Sequence, residues 1–258
     1  MRIVPALVPK PDMQTQPRRW ASGIAGLDAA LGGGMAYGCV HELYAADPAD
    51  AAATAAMALA LSAGMAEASR PVLWLRSRQG ANQSRVLQGN GWAELGGRAG
   101  EALVGIVPDT LSLLRAAVDA VRCAASGVVI IEGWGKMPEL DLTASRRLAL
   151  AAEKSGVPLF VLRIDALPNP SAAQTRWQVA AAPSLALPGN APGLPTFDIE
   201  LLRQRSGPSG MSWRLEWDRD RRIFREATLS GAVVSVPARR PSADAGAGTL
   251  HQGKRRAA

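Results

Sequence analysis

Residues 22–54 read SGIAGLDAALGGGMAYGCVHELYAADPADAAAT. Ile24, Leu27 and Leu31 recur at helical spacing and predict a short amphipathic helix. The run Gly32-Gly33-Gly34 stops it, because three residues without a Cβ favour a turn over helix. Beyond Gly38, the segment CVHELYA predicts a buried strand. Ala45 to Ala53 then predicts a loop that enters an alanine-rich helix.

A glycine-terminated helix, a strand, a loop and a helix make the frame of a phosphate-binding loop. That chemistry needs glycines, so that backbone N–H groups can wrap an anion. It also needs a lysine for the β- and γ-phosphates and a Ser or Thr hydroxyl for Mg²⁺. Here the loop is Ala45-Ala46-Asp47-Pro48-Ala49-Asp50-Ala51-Ala52-Ala53-Thr54, with neither glycine nor lysine. Pro48 removes one N–H, and Asp47 and Asp50 put negative charge where a phosphate would sit. Thr54 alone could stand in for the metal-ligand hydroxyl, and by itself it reads as an ordinary helix residue. The expectation is a degenerate loop, with no cofactor and no catalysis.

Composition supports this. At 258 residues the chain suits one α/β domain with tails, and 48% apolar content is ample for a core. The lysines are Lys10, Lys136, Lys154 and Lys254, so no shift of register rescues the loop. The net charge of +7 divides as +3 in residues 1–22 and +4 in residues 237–258, which leaves 23–236 neutral. Basic tails suit contact with nucleic acid or an acidic partner, and equally suit flexible solubilising ends. Cys39 and Cys123 read as small core residues of a reduced, cytoplasmic protein. His41 and His251 are the two histidines, too few for a metal cluster. No stretch is long and apolar enough to span a membrane, and the start MRIVPALVPKPD is too broken by proline for a secretory signal.

The expected organisation is an arm (1–22), a core (23–236) and a basic disordered tail (237–258). Within the arm, a short extended segment such as Ile3 to Val8 could add to a neighbour's sheet edge, while most of the arm reads as disordered. In the core, 49–68 predicts a buried helix, VLWLR (72–76) a strand, 77–83 a polar loop and 84–95 a short helix. A strand at 102–107 and a helix capped by Asp109 follow. Val128 to Ile131 is a continuous aliphatic run, as a parallel strand covered on both faces requires, and Glu132 stands at its end. That position suits a Mg²⁺-linked carboxylate in a nucleotide enzyme. With the loop degenerate, Glu132 reads better as an edge carboxylate with a structural partner. Helix 142–154 and strand LFVLR (159–163) continue the alternation, which calls for a mostly parallel sheet flanked by helices. AAQTRWQV (172–179) reads as a short helix. Segments 197–205 and 212–218, joined by SGPSG, predict an antiparallel hairpin with Trp213, Leu215 and Trp217 facing one way. Positions 203–225 hold seven arginines against three acidic residues, the one basic patch within the fold.

The Leu-Asp-x-x-Leu-Gly-Gly-Gly-x-x-x-Gly spacing, Leu27 through Gly38, resembles the entry to the core of RecA-type recombinases. Glu42 and its strand, the aliphatic strand ending at Glu132 and the late hairpin resemble that family too, over about residues 20–220. The departures are as informative. Besides the loop, the chain has Arg78 and Gln79 where a recombinase has its catalytic glutamate, and Arg163 where the family has a γ-phosphate-sensing glutamine. A RecA-like chain altered in all three places resembles the ImuA family. That resemblance implies an SOS-induced protein acting in translesion DNA synthesis beside ImuB, a polymerase-like scaffold, and an error-prone DNA polymerase.

Three functions follow as expectations. The first is a non-catalytic accessory protein that binds an ImuB-like scaffold or a RecA-type partner. Its candidate contact residues are Trp177, Arg203, Arg205, Trp213, Arg214 and Trp217, with the C-terminal tail. The second is a divergent ATPase that borrows positive charge from Arg76 or Arg78. The third is a cell-division inhibitor of the SulA type. DNA binding through the basic tails stays open, and would weaken steeply with salt.

Overall fold

A computed structural model describes residues 18–67, 70–84, 87–98 and 100–227. The arm through residue 17, including the Ile3–Val8 segment, and everything from 228 onward, including the basic tail, lie outside the described residues. The chain begins with β1 (Arg19–Trp20), α1 (Ala25–Ala30), β2 (Met35–Ala36) and β3 (Val40–Ala45). A 3₁₀ turn (Pro48–Asp50) leads into α2 (Ala51–Met65), followed by β4 (Val72–Ser77), α3 (Arg78–Gln83), α4 (Gly89–Glu94) and β5 (Ala102–Val107). Next come α5 (Thr110–Arg122), β6 (Val128–Trp134), α6 (Leu142–Ser155), β7 (Leu159–Ile164) and β8 (Thr175–Ala181). The described chain closes with β9 (Thr196–Gln204), β10 (Met211–Asp218) and β11 (Ile223–Glu226).

Among the described residues, nine strands form one sheet in the order β11-β10-β9-β8-β3-β7-β6-β4-β5. From β8 to β5 every neighbouring pair is parallel; β8 to β11 pair antiparallel. This is the α/β architecture expected, a mostly parallel sheet between helices with an antiparallel hairpin added late. The two faces carry separate apolar clusters. Leu43, Phe160, Ile130 and Trp74 pack with α2 on one face; Val40, Val161, Ile131 and Leu75 pack with α5 and α6 on the other. Period-2 alternation along each strand divides the side chains this way.

Several expectations need correcting. Arg19 and Trp20, assigned to the arm, form β1 and pair with Ala36 and Met35. Trp20 is why two glycines matter. A Cβ on Gly64 would lie 2.4 Å from its indole, and one on Gly34, where φ is +111°, would lie 2.2 Å from its carbonyl oxygen. Residues 172–179 are not helical: Thr175, Trp177 and Val179 alternate inward along β8, a β-branched and aromatic pattern that suits a strand. Residues 78–83, expected as loop, are α3, whose N-terminus Ser77 caps by accepting from the Gly80 N–H. The helix expected over 84–95 is confined to 89–94. Neither cysteine is a core residue; Cys39 is half-buried and Cys123 exposed.

Candidate functional site at the carboxyl end of the sheet

In an open parallel sheet, ligands bind beyond the carboxyl ends of the strands. Here that region holds the turn after β3, the start of α2 and a cavity of about 600 Å³. The turn is built to hold itself. Asp47 caps the 3₁₀ segment by accepting from the Ala49 N–H at 2.8 Å. The Ala46 N–H donates to the Val179 carbonyl at 2.9 Å and the Asp50 N–H to the Asp47 carbonyl at 2.8 Å. The Ala51 N–H donates to the Pro48 carbonyl. Asp50 leaves the turn altogether and accepts from the Ala181 N–H of β8 at 2.9 Å. A phosphate loop must aim free donors at one point. Pro48 has no N–H, and those of Ala46, Ala49, Asp50 and Ala51 are already bonded. The Thr54 hydroxyl, fully buried, donates back to the Asp50 carbonyl at 3.0 Å, the ordinary bond of a helical threonine.

One wall of the cavity is the small-residue face of α2, formed by Ala51, Ala52, Ala55 and Ala56. Arg76, Glu132 and Trp134 also line the cavity. Glu132 and Arg76 stand opposite each other across β4 and β6, and both are buried. The Arg76 Nε lies 3.0 Å from Glu132 Oε2. The same carboxylate accepts from the Trp74 indole N–H at 3.1 Å and from the Trp134 indole N–H at 2.7 Å. Glu132 thus has the structural partner expected of it, and more: three side chains converge on it. A carboxylate so supplied with donors has little capacity left to hold a metal. Among the described residues no group of three or more His, Cys, Asp or Glu is placed to ligate an ion.

A second buried ion pair lies on the opposite face, and sequence reasoning missed it. Glu42 on β3 stands opposite Arg176 on β8, and the Arg176 Nε donates to Glu42 Oε2 at 2.8 Å. The Arg176 Nη2 reaches the Asn169 carbonyl at 2.5 Å and the Ser171 hydroxyl at 3.1 Å. Arg163, at the end of β7, is buried as well. It lies 5.6 Å from the Tyr44 ring centroid and 3.4 Å from Asn169 Oδ1. Burial, with Glu42 close by, pushes the Tyr44 phenol up, against the pull of the two guanidiniums. The signal was in the sequence: Glu42 interrupts an apolar strand, and a charge in such a strand needs a partner.

His41, next to Glu42 on β3, is fully buried, and burial, which disfavours its charged form, lowers its pKa to about 4. Its Nε2 faces the Ala36 carbonyl at 2.9 Å, so that nitrogen carries the proton and Nδ1 accepts from the Thr175 hydroxyl at 2.7 Å. The Trp177 indole N–H donates to the same hydroxyl at 2.8 Å. Trp177 is therefore a core residue. Trp217 is too, its indole N–H bonded to the Leu95 carbonyl at 3.0 Å. Neither ring is available to a partner, which removes both from the six candidate contacts. Trp213 is half-buried, 6.2 Å from Trp177. Arg203, Arg205 and Arg214 are exposed, and Arg214 is engaged by Asp198 through two bonds of 2.7 Å. The Asp198 carboxylate raises the Arg214 pKa. No helix among the described residues is long and apolar enough to cross a membrane.

No protein-family model matches the sequence, and no curated protein matches it. Among solved structures the chain is similar to the crystal structure of the RadB recombinase, with 15% identity and a TM-score of 0.47. The match covers 81% of this chain and all of that one.

Proposed function

We propose that this chain is a non-catalytic, RecA-like accessory protein that works by binding other proteins. In this reading it belongs to SOS-induced error-prone translesion DNA synthesis, and its partners are an ImuB-like scaffold, a RecA-type recombinase or both. The observation that carries the reading is the turn after β3. The N–H groups of Ala46, Ala49, Asp50 and Ala51 are spent within the protein, and its two carboxylates accept from the Ala49 N–H and from β8. A triphosphate approaching it would meet anionic side chains and no free amide cradle. The sealing of Glu132 by Arg76, Trp74 and Trp134 supports the same view from the neighbouring strands.

One observation favours a second reading, a divergent ATPase: the cavity of about 600 Å³ with the buried Arg76 guanidinium in its lining. Titration of the full chain with a fluorescent ATP analogue, with and without Mg²⁺, separates the two. The accessory reading expects no saturable binding up to millimolar nucleotide; Mg²⁺-dependent micromolar binding overturns it. Partner identity is tested by co-purification from DNA-damaged cells. Recovery of a polymerase-like scaffold or a recombinase is the expected result.

A further inference from the structure

The cavity at the carboxyl end of the sheet has no part in the accessory role. Its volume of about 600 Å³ is that of a site for a drug-sized molecule. Leu59 of α2, Leu95, and Leu162 and Ile164 of β7 give it aliphatic walls. Along α2, Ala51, Ala52, Ala55 and Ala56 present only methyl groups, so nothing projects from that wall. The half-buried Trp134 adds an aromatic ring.

Arg76, Glu94 and Glu132 are the charged residues of the lining, and each is answered within the protein. The Arg76 Nε lies 3.0 Å from Glu132 Oε2. Glu132 also takes the indole N–H groups of Trp74 and Trp134. Glu94 is paired with Arg219. An entering anion would have to compete with Glu132 for the guanidinium. A cation would find carboxylates already supplied with donors. Either would shed its hydration without gaining a counter-ion, which is unfavourable. The other polar side chains of the lining, Gln83, Ser84 and Gln88, are uncharged. Gln83 and Gln88 are exposed, which puts them on the open side, where an amide can bond a carbonyl or hydroxyl group.

We propose that this cavity binds an uncharged, largely apolar small molecule with a planar ring system. Burial of the rings against the alanine wall and the aliphatic side chains supplies the affinity. The Gln83 and Gln88 amides orient its polar end. The Arg76–Glu132 pair gives selectivity, because it leaves no charge free for a competing ion, nucleotides included.

The test uses two probes with one ring skeleton. N-phenyl-1-naphthylamine is uncharged; 8-anilinonaphthalene-1-sulfonate carries the same rings and a sulfonate. Titrated into the full chain, the uncharged probe should bind saturably, one per chain, with a micromolar Kd. The sulfonate should bind at least about tenfold more weakly. Two variants fill the cavity from different walls. Ala52→Trp enlarges an exposed position of α2. Gly91→Trp does the same on α4, where an added Cβ meets nothing within 4 Å. Each should weaken the uncharged probe at least about tenfold and leave the denaturation midpoint unchanged. Independently of any variant, the bound probe should show nuclear Overhauser contacts to the labelled methyl groups of Ala52, Ala55 and Ala56. Absence of saturable binding to the wild type overturns the proposal. So does a sulfonate that binds equally well, binding that survives both variants, or contacts confined to other alanines. Release of the probe by a co-purified partner protein would assign the cavity to a protein segment, and overturns it too.

Discussion

Each face of the sheet carries one buried arginine–glutamate pair, set directly across neighbouring parallel strands. On the α2 face it is Arg76 with Glu132; on the α5/α6 face it is Glu42 with Arg176. The surroundings differ. Arg176 also gives its Nη2 to the Asn169 carbonyl and the Ser171 hydroxyl, which tie the pair to the segment between β7 and β8. Arg76 and Glu132 border a cavity of about 600 Å³, and two indoles share the carboxylate with the guanidinium. The same ion pair therefore serves two ends. One ties β3 and β8 to the segment that joins β7 to β8; the other lines the cavity beyond the carboxyl ends of the strands and keeps its carboxylate engaged. A buried charge costs most when its partner is removed and nothing else can reach it.

The largest effect follows from the Glu42–Arg176 pair. Arg176→Met strips a carboxylate only 2% exposed of its 2.8 Å donor, and should destabilise the protein by about 4 kcal/mol in denaturant titration. Glu42→Gln combined with Arg176→Met should recover a large part of that loss, because the stranded charge is then gone.

Next in size is a pH effect on the strand the two faces share. His41 titrates at about 4 in the fold and at about 6.5 when unfolded. As pH falls below 6.5 the unfolded chain takes up the proton first. Stability is thus full above pH 6.5 and declines down to pH 4, by about 3 kcal/mol from this residue. Denaturant titrations at both pH values on the wild type and His41→Gln check it; the variant should lose about that much less.

The smallest effect belongs to the cavity pair. Arg76→Met leaves Glu132 with the Trp74 and Trp134 donors and a cavity that admits water, so the cost should be about 2 kcal/mol. A cost equal to that of Arg176→Met would erase the distinction between the faces.

Much of this was legible beforehand. Val128 to Ile131 reads as a doubly covered strand and lies buried in β6; Ser212 to Trp217 reads as alternating and forms β10, where Glu216 is nonetheless buried beside Leu215 and Trp217. Asp109 was identified as a cap, and it accepts from the Ser112 N–H at 2.7 Å. What failed has a common cause. TRWQV was read as helix because its strand pattern is short and its neighbours, β3 and β9, lie far away in sequence. Trp177 and Trp217 looked available as contacts because a tryptophan in sequence does not reveal what covers it.

The sequence by itself determined that the turn after β3 lacks glycine and lysine, and that a strand–helix alternation precedes a hairpin. These are local properties, set by which side chains and backbone angles neighbouring residues permit. Tertiary structure decided which charge meets which. Glu42 finds Arg176 across 134 positions and Arg76 finds Glu132 across 56, because the crossovers set the strand order and only strand order brings them opposite each other. It also decided that the N–H groups of Ala46, Ala49, Asp50 and Ala51 would be spent on β8 and within the turn, a matter of angles and distances that no list of residues contains.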